Sequence, residues 1–150
     1  PEKGNPSFVD KLWGPDGLRC LLEESDFVVV CTPHTPETEK MMRSEELRVM
    51  KKTAFLINIG RGAVVDLDNV TEALRNGDIA GAGLDVFEKE PLPMGHPLWK
   101  MKNVIITPHS AAAGLGPVYQ ERRVDIFLDN LRRFTEGKSL VNVVDRKMWH

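Results

Sequence analysis

Four apolar runs, at residues 27–31, 54–59, 79–86 and 104–107, are separated by segments with helical spacing, and this alternation limits the fold more than any other feature. The runs are continuous rather than alternating, the pattern of parallel strands covered on both faces. Parallel strands need crossover connections, usually helices, and the intervening segments supply them. Leu18, Leu21 and Leu22 predict a first helix, capped by Asp16 and ended by Ser25 and Asp26. Ser44, with Glu45 and Glu46 behind it, predicts the start of a second, with Leu47 and Met50 on its apolar side. Asp66 or Asp68 caps a third, whose buried stripe is Leu67, Val70, Ala73 and Leu74 and whose stop is Gly77. A long last helix over about 118–136 carries Val124, Phe127, Leu128, Leu131 and Phe134 on one face and closes at Gly137. The expected fold class is α/β, a parallel sheet in a three-layer α/β/α arrangement with right-handed crossovers.

The 150 residues suit one domain, and a net charge of −2 provides no basic stripe for nucleic acid. No apolar run approaches the ~20 residues that span a bilayer. Neither a nucleic-acid nor a membrane partner is therefore expected. Cys20 and Cys31 lie in apolar segments without CxxC spacing, which predicts two small buried thiols in a reduced, cytoplasmic protein. No Cys/His cluster has zinc spacing, and no metal site is expected. The first residues carry no signal-peptide pattern and no initiator Met, so the chain reads as part of something longer.

Ligands of open parallel sheets bind outside the carboxyl ends of the strands. There the first run ends in Thr32 and Pro33, and the second in Ile59, Gly60 and Arg61. The third ends in Asp85, with Glu90 beyond it, and the fourth in His109, followed by Ser110, Ala111 and Ala112. Taken singly, Arg61 suits a salt bridge, Asp85 a turn acceptor, Glu90 a solvated loop acid and His109 a structural hydrogen bond. One cation, two carboxylates and one imidazole on a single edge, beside small residues that admit a flat ligand, point to a site with acid–base capacity.

Residues 58–62 (Asn-Ile-Gly-Arg-Gly), 82–92 and 103–109 closely resemble the D-isomer-specific 2-hydroxyacid dehydrogenases, and 32–38 resembles the loop that precedes them in that family. The resemblance implies that Arg61 grips a substrate carboxylate with its planar fork. His109 is then the general acid for keto-acid reduction, and Glu90 holds its imidazole in one tautomer and favours its charged form. Asp85 accepts from the nicotinamide carboxamide. Thr32 and Pro33 line the adenine side, Ile59 and Gly60 the nicotinamide side, with Arg61, His109, Ala111 and Ala112 beside the cofactor. It further implies NAD or NADP as cofactor, a small 2-keto or 2-hydroxy acid as substrate, and a homo-oligomer.

The family's G-x-G-x-x-G phosphate loop is missing: Gly81 and Gly83 lie inside a strand, and Gly114 and Gly116 run into Pro117. Residues 1–150 are thus expected to be the C-terminal portion of an NAD(P)-binding domain, a partial Rossmann fold lacking the GxGxxG half, with a returning helix and tail from about 117–150. Negligible turnover is expected of the chain alone. The alternative is a non-enzymatic nucleotide-binding or self-associating module of the corepressor kind. A serine hydrolase is disfavoured by the lack of G-x-S-x-G.

Overall fold

A computed structural model of the chain describes residues 7–111 and 116–144. Its helices are α1 (Leu18–Glu24), α2 (Ser44–Val49), α3 (Leu67–Asn76) and α4 (Pro117–Thr135). The strands β1 (Phe27–Val30), β2 (Phe55–Asn58), β3 (Gly81–Leu84) and β4 (Val104–Ile106) form one parallel sheet in the order β1-β2-β3-β4. The parallel α/β class expected from the sequence is the one observed.

Side chains of a strand alternate between faces, so strand register sorts the sheet into rows. Val28, Leu56, Ala82 and Val104 form one row, and Val30, Asn58, Leu84 and Ile106 another. Both rows join the core, where α1 contributes Leu22, α2 Leu47, and α3 Val70, Ala73 and Leu74. Each fully buried Leu or Val removes enough apolar surface from water to be worth ~1.5–3 kcal/mol. The other face holds the rows Phe27, Phe55, Gly81 and Val29, Ile57, Gly83, Ile105. Phe27, Val29, Phe55 and Ile105 are exposed there, and the rings of Phe27 and Phe55 stack at 5.6 Å. Burial on both sides, expected for 27–31, is therefore realised on one side only, because the core of α1–α3 takes only the alternate residues. The apolar stripe of α4 is likewise exposed at Val124, Phe127, Leu128, Leu131 and Phe134.

The helix ends refine the expected caps. Asp16 sits inside a 3-10 turn (Pro15–Gly17), and Gly17 is the N-cap of α1. Arg43, not Ser44, caps α2: its N–H donates to Glu46 Oε2 at 3.0 Å, the reach-back of a capping box. Ser44 instead ties α2 to α3, its N–H donating to Asn69 Oδ1 at 3.1 Å. Asp66 caps α3 by accepting from Asn69 N–H at 3.1 Å, and Gly77 ends it at φ 72°. The tail is pinned to α4 through Asn130, whose amide exchanges two hydrogen bonds with the backbone of Val141.

Both cysteines are exposed, contrary to the sequence expectation. Cys20 lies two residues before Leu22 on α1, which puts it on the opposite side of the helix. Cys31 follows the core residue Val30 and so faces the open side of the sheet.

Candidate active site

Gly60, Arg61 and Gly62 leave β2 in a turn wedged between two stretches of backbone. A Cβ on Gly60 would lie 2.8 Å from the Thr32 carbonyl oxygen, and one on Gly62 only 1.9 Å from the Phe87 carbonyl carbon. These glycines are thus demanded by close approach. Asn58 supports the turn from the sheet: its Oδ1 accepts from Gly60 N–H and its Nδ2 donates to Arg61 C=O, each at 3.1 Å. Arg61 is left exposed, with Nη1 donating to Gly60 C=O at 2.8 Å.

Asp85 follows β3 and is only 4% exposed. Its carboxylate accepts from the Thr107 hydroxyl, from Ser110 N–H at 2.8 Å and from Ala111 N–H at 2.9 Å. Its carbonyl accepts from His109 N–H at 2.8 Å. The two successive amides hold the Asp85 carboxylate as an anion nest does, directly after His109, whose φ of 51° is left-handed. Burial alone would raise the Asp85 carboxyl; the hydrogen bonds from Thr107, Ser110 and Ala111, with the nearby His109 charge, outweigh it and hold the group below the usual carboxylate range.

Glu90 Oε2 lies 2.8 Å from His109 Nδ1, and Glu90 Oε1 accepts from Phe87 N–H at 2.9 Å. The hydrogen bond from His109, and then that from Phe87, holds the Glu90 carboxyl below its ordinary value. With Nδ1 committed to Glu90, Nε2 is the ring nitrogen able to exchange a proton with a ligand. The His109 side chain is 50% exposed, open enough for such a ligand to reach. An apolar hollow of about 470 Å³, walled by Phe87, Leu92, Trp99 and Ile106, borders the pair.

A second cleft, of about 450 Å³, gathers Thr32, Pro33, Ile59, Gly60 and Arg61, with Cys31 and His34 on its walls. Among the described residues Thr32 Oγ1 is buried without a hydrogen-bond partner. A buried hydroxyl lacking a partner on the wall of this cleft fits a polar ligand such as a dinucleotide. The structure thus unites five of the expected cofactor residues in one cleft; Glu90 and His109 line the apolar hollow, and Asp85 is hydrogen-bonded to the backbone of His109 and Ala111; Ala112 lies outside the described residues. Neither Asn58 nor Thr107 had an expected task, although each is a polar residue in an otherwise apolar run. Among the described residues no helix is long and apolar enough to cross a membrane.

A parallel α/β sheet with an acid and a histidine paired at its carboxyl edge defines a ligand-binding domain equipped for acid–base chemistry. Residues 4–111 match the NAD binding domain of the D-isomer specific 2-hydroxyacid dehydrogenases, and the chain belongs to that family. It is 46% identical over 131 residues to a glyoxylate reductase of Korarchaeum cryptofilum, a match that covers 87% of this chain and 39% of that protein. A D-isomer specific 2-hydroxyacid dehydrogenase from Xanthobacter autotrophicus Py2, solved with NADPH and MES, superposes with a TM-score of 0.79 at 44% identity over 88% of this chain and 53% of the other. The NADPH-dependent glyoxylate/hydroxypyruvate reductase of Sinorhizobium meliloti, solved with NADP and sulfate, gives a TM-score of 0.80 at 31% identity over 92% of this chain and 44% of the other. The chain therefore spans about two fifths of the length of the relatives it matches.

Proposed function

We propose that this chain supplies the cofactor cleft and the acid–base pair of an NAD(P)-dependent dehydrogenase that interconverts a small 2-keto acid, such as glyoxylate, and its 2-hydroxy acid. The observation that carries this is the hydrogen bond between Glu90 and His109 at the carboxyl edge of the sheet. His109 Nε2 gives the keto oxygen its proton and takes it back in the reverse direction. Glu90 fixes the ring so that Nε2 faces the reacting atom. Arg61 grips the substrate carboxylate. Thr32, Pro33, Ile59 and Gly60 hold the cofactor, with Ala111 and Ala112 beside it. Asp85 Oδ2, which accepts from Ala111, retains acceptor capacity for the carboxamide. The nicotinamide, when bound, supplies or takes the hydride.

Residues 1–150 act as the C-terminal portion of the cofactor domain, with 117–150 as a helix and tail returning to further structure. The share of the relatives' length that is matched supports this division. A homo-oligomer is supported by the apolar surface of α4, and a cytoplasmic location by two unpaired thiols.

The test is a chimera in which this chain replaces the 131 matched residues of the Korarchaeum glyoxylate reductase. The expected result is glyoxylate-dependent NADPH or NADH oxidation by the chimera and negligible turnover by the 150-residue protein. A folded chimera that binds the dinucleotide and reduces neither glyoxylate nor hydroxypyruvate overturns the proposal. A self-associating binding module is the second reading, favoured by the open sheet face of Phe27, Val29, Phe55 and Ile105. A concentration-independent monomer in light scattering excludes self-association.

A further inference from the structure

Asn58 stands in an apolar place. Its row in the sheet is Val30, Asn58, Leu84 and Ile106, and it is 1% exposed. A leucine, with the same number of side-chain heavy atoms and the same branching, would suit this apolar row without burying an amide, so the amide calls for another explanation. Both of its hydrogen bonds go to the backbone of one turn, to Gly60 N–H and to Arg61 C=O. That turn is confined by Thr32 against Gly60 and by Phe87 against Gly62, and the Arg61 side chain emerges from between them.

We propose that Asn58 is the positioning residue for Arg61, its amide fixing the direction in which the guanidinium leaves the turn. This rests on the dehydrogenase function proposed for Arg61. The chemistry is specific to the amide: one terminus must both accept from an N–H and donate to a carbonyl. Aspartate can accept from Gly60 but has no proton for the Arg61 carbonyl, and leucine can do neither. The bond from Asp85 N–H to the Asn58 carbonyl, at 3.0 Å, uses only backbone and survives either substitution. It serves as an internal control for the sheet.

Amide hydrogen exchange on the 150-residue protein is the first arm. In Asn58→Leu the Gly60 amide is expected to exchange about tenfold faster or more, while the Asp85 amide changes by less than about twofold. Asn58→Asp is expected to keep Gly60 protected. Unchanged Gly60 exchange in Asn58→Leu overturns the proposal, as does equal loss at Gly60 and Asp85. If Asn58→Leu shows no melting transition, Asn58→Asp decides: loss of Gly60 protection there overturns the clamp.

The second arm uses the chimera. Asn58→Leu is expected to raise KM for glyoxylate about tenfold with kcat within about threefold. On an Arg61→Ala background the same change should add less than about twofold, because the group it positions is gone. Full additivity overturns the proposal. An inactive parent chimera counts against the dehydrogenase function, and the exchange arm still decides Asn58.

Discussion

Glu90 and His109, 19 residues apart in the chain, meet at 2.8 Å between Oε2 and Nδ1. Each is held from behind: Glu90 by Phe87 N–H on its other oxygen, His109 by its own N–H on the Asp85 carbonyl. Between them the chain anchors itself through buried Leu92 and Leu98 and returns through β4. A preformed pair spares the ordering cost of bringing an acid to an imidazole when substrate arrives.

In the chimera, His109→Ala is expected to lower kcat about 10²–10⁴-fold with little change in KM, because its proton is needed in the transition state. Arg61→Lys is expected to do the reverse, raising KM for the keto acid through loss of the bidentate grip. Steady-state kinetics checks both, and unchanged constants would remove these roles.

Glu90 also links the site to stability. Its carboxyl is held below the ordinary value of 4.5 in the folded protein, mainly by His109. The stabilisation is therefore present above that value and is lost as pH falls through the lower folded one. Thermal midpoints of wild type should drop over this acid range more steeply than those of Glu90→Gln; parallel curves would count against the linkage.

Asp66 offers a second acid-sensitive point away from the site. Burial would raise it, but hydrogen bonds from Asn69 and Lys40 hold it at about 2 against an ordinary 3.8. Its contribution is present above 3.8 and disappears as pH falls through about 2. Asp66→Ala should cost about 1 kcal/mol at neutral pH through the lost helix cap, a fall of ~2–4 °C in the melting midpoint. Equal stability of variant and wild type at pH 7 would show that the cap contributes nothing.

Two glycines should respond oppositely to alanine. At Gly62 the new Cβ would lie 1.9 Å from the Phe87 carbonyl carbon, which the backbone can relieve only by moving the Arg61 turn. At Gly83 it would meet only Ile57, at 3.8 Å, an ordinary contact. Gly62→Ala is expected to cost about 1–3 kcal/mol or more, whereas Gly83→Ala should be neutral to about 0.5 kcal/mol stabilising. Urea melts of the two variants check the contrast, and equal effects would refute it.

The strands, the helices and the polar groups standing at the strand ends were legible in the sequence because each depends on local patterns. Runs of Val and Ile, the cap at Asp66 and the stop at Gly77 act over a few residues, and parallel strands put their ends on one edge. Asn58 was not legible as a clamp, since its partners are defined only by how the turn of Gly60 and Arg61 folds back. Nor was the requirement for Gly62, which comes from Phe87 approaching out of a different strand end.

By itself, then, the sequence determined that this chain builds a parallel α/β sheet with an arginine, two carboxylates and a histidine along one edge. Only the tertiary structure decided which partners those groups take and how deeply each is buried. Asp85 and Glu90 are both acids near the end of β3, yet Asp85 is buried and bound by backbone amides around His109, while Glu90 is partly exposed and bonded to the imidazole. The difference lies in long-range contacts with the segment after β4, because a carboxylate's partners depend on what the fold brings within about 3 Å of it, whatever its neighbours in sequence.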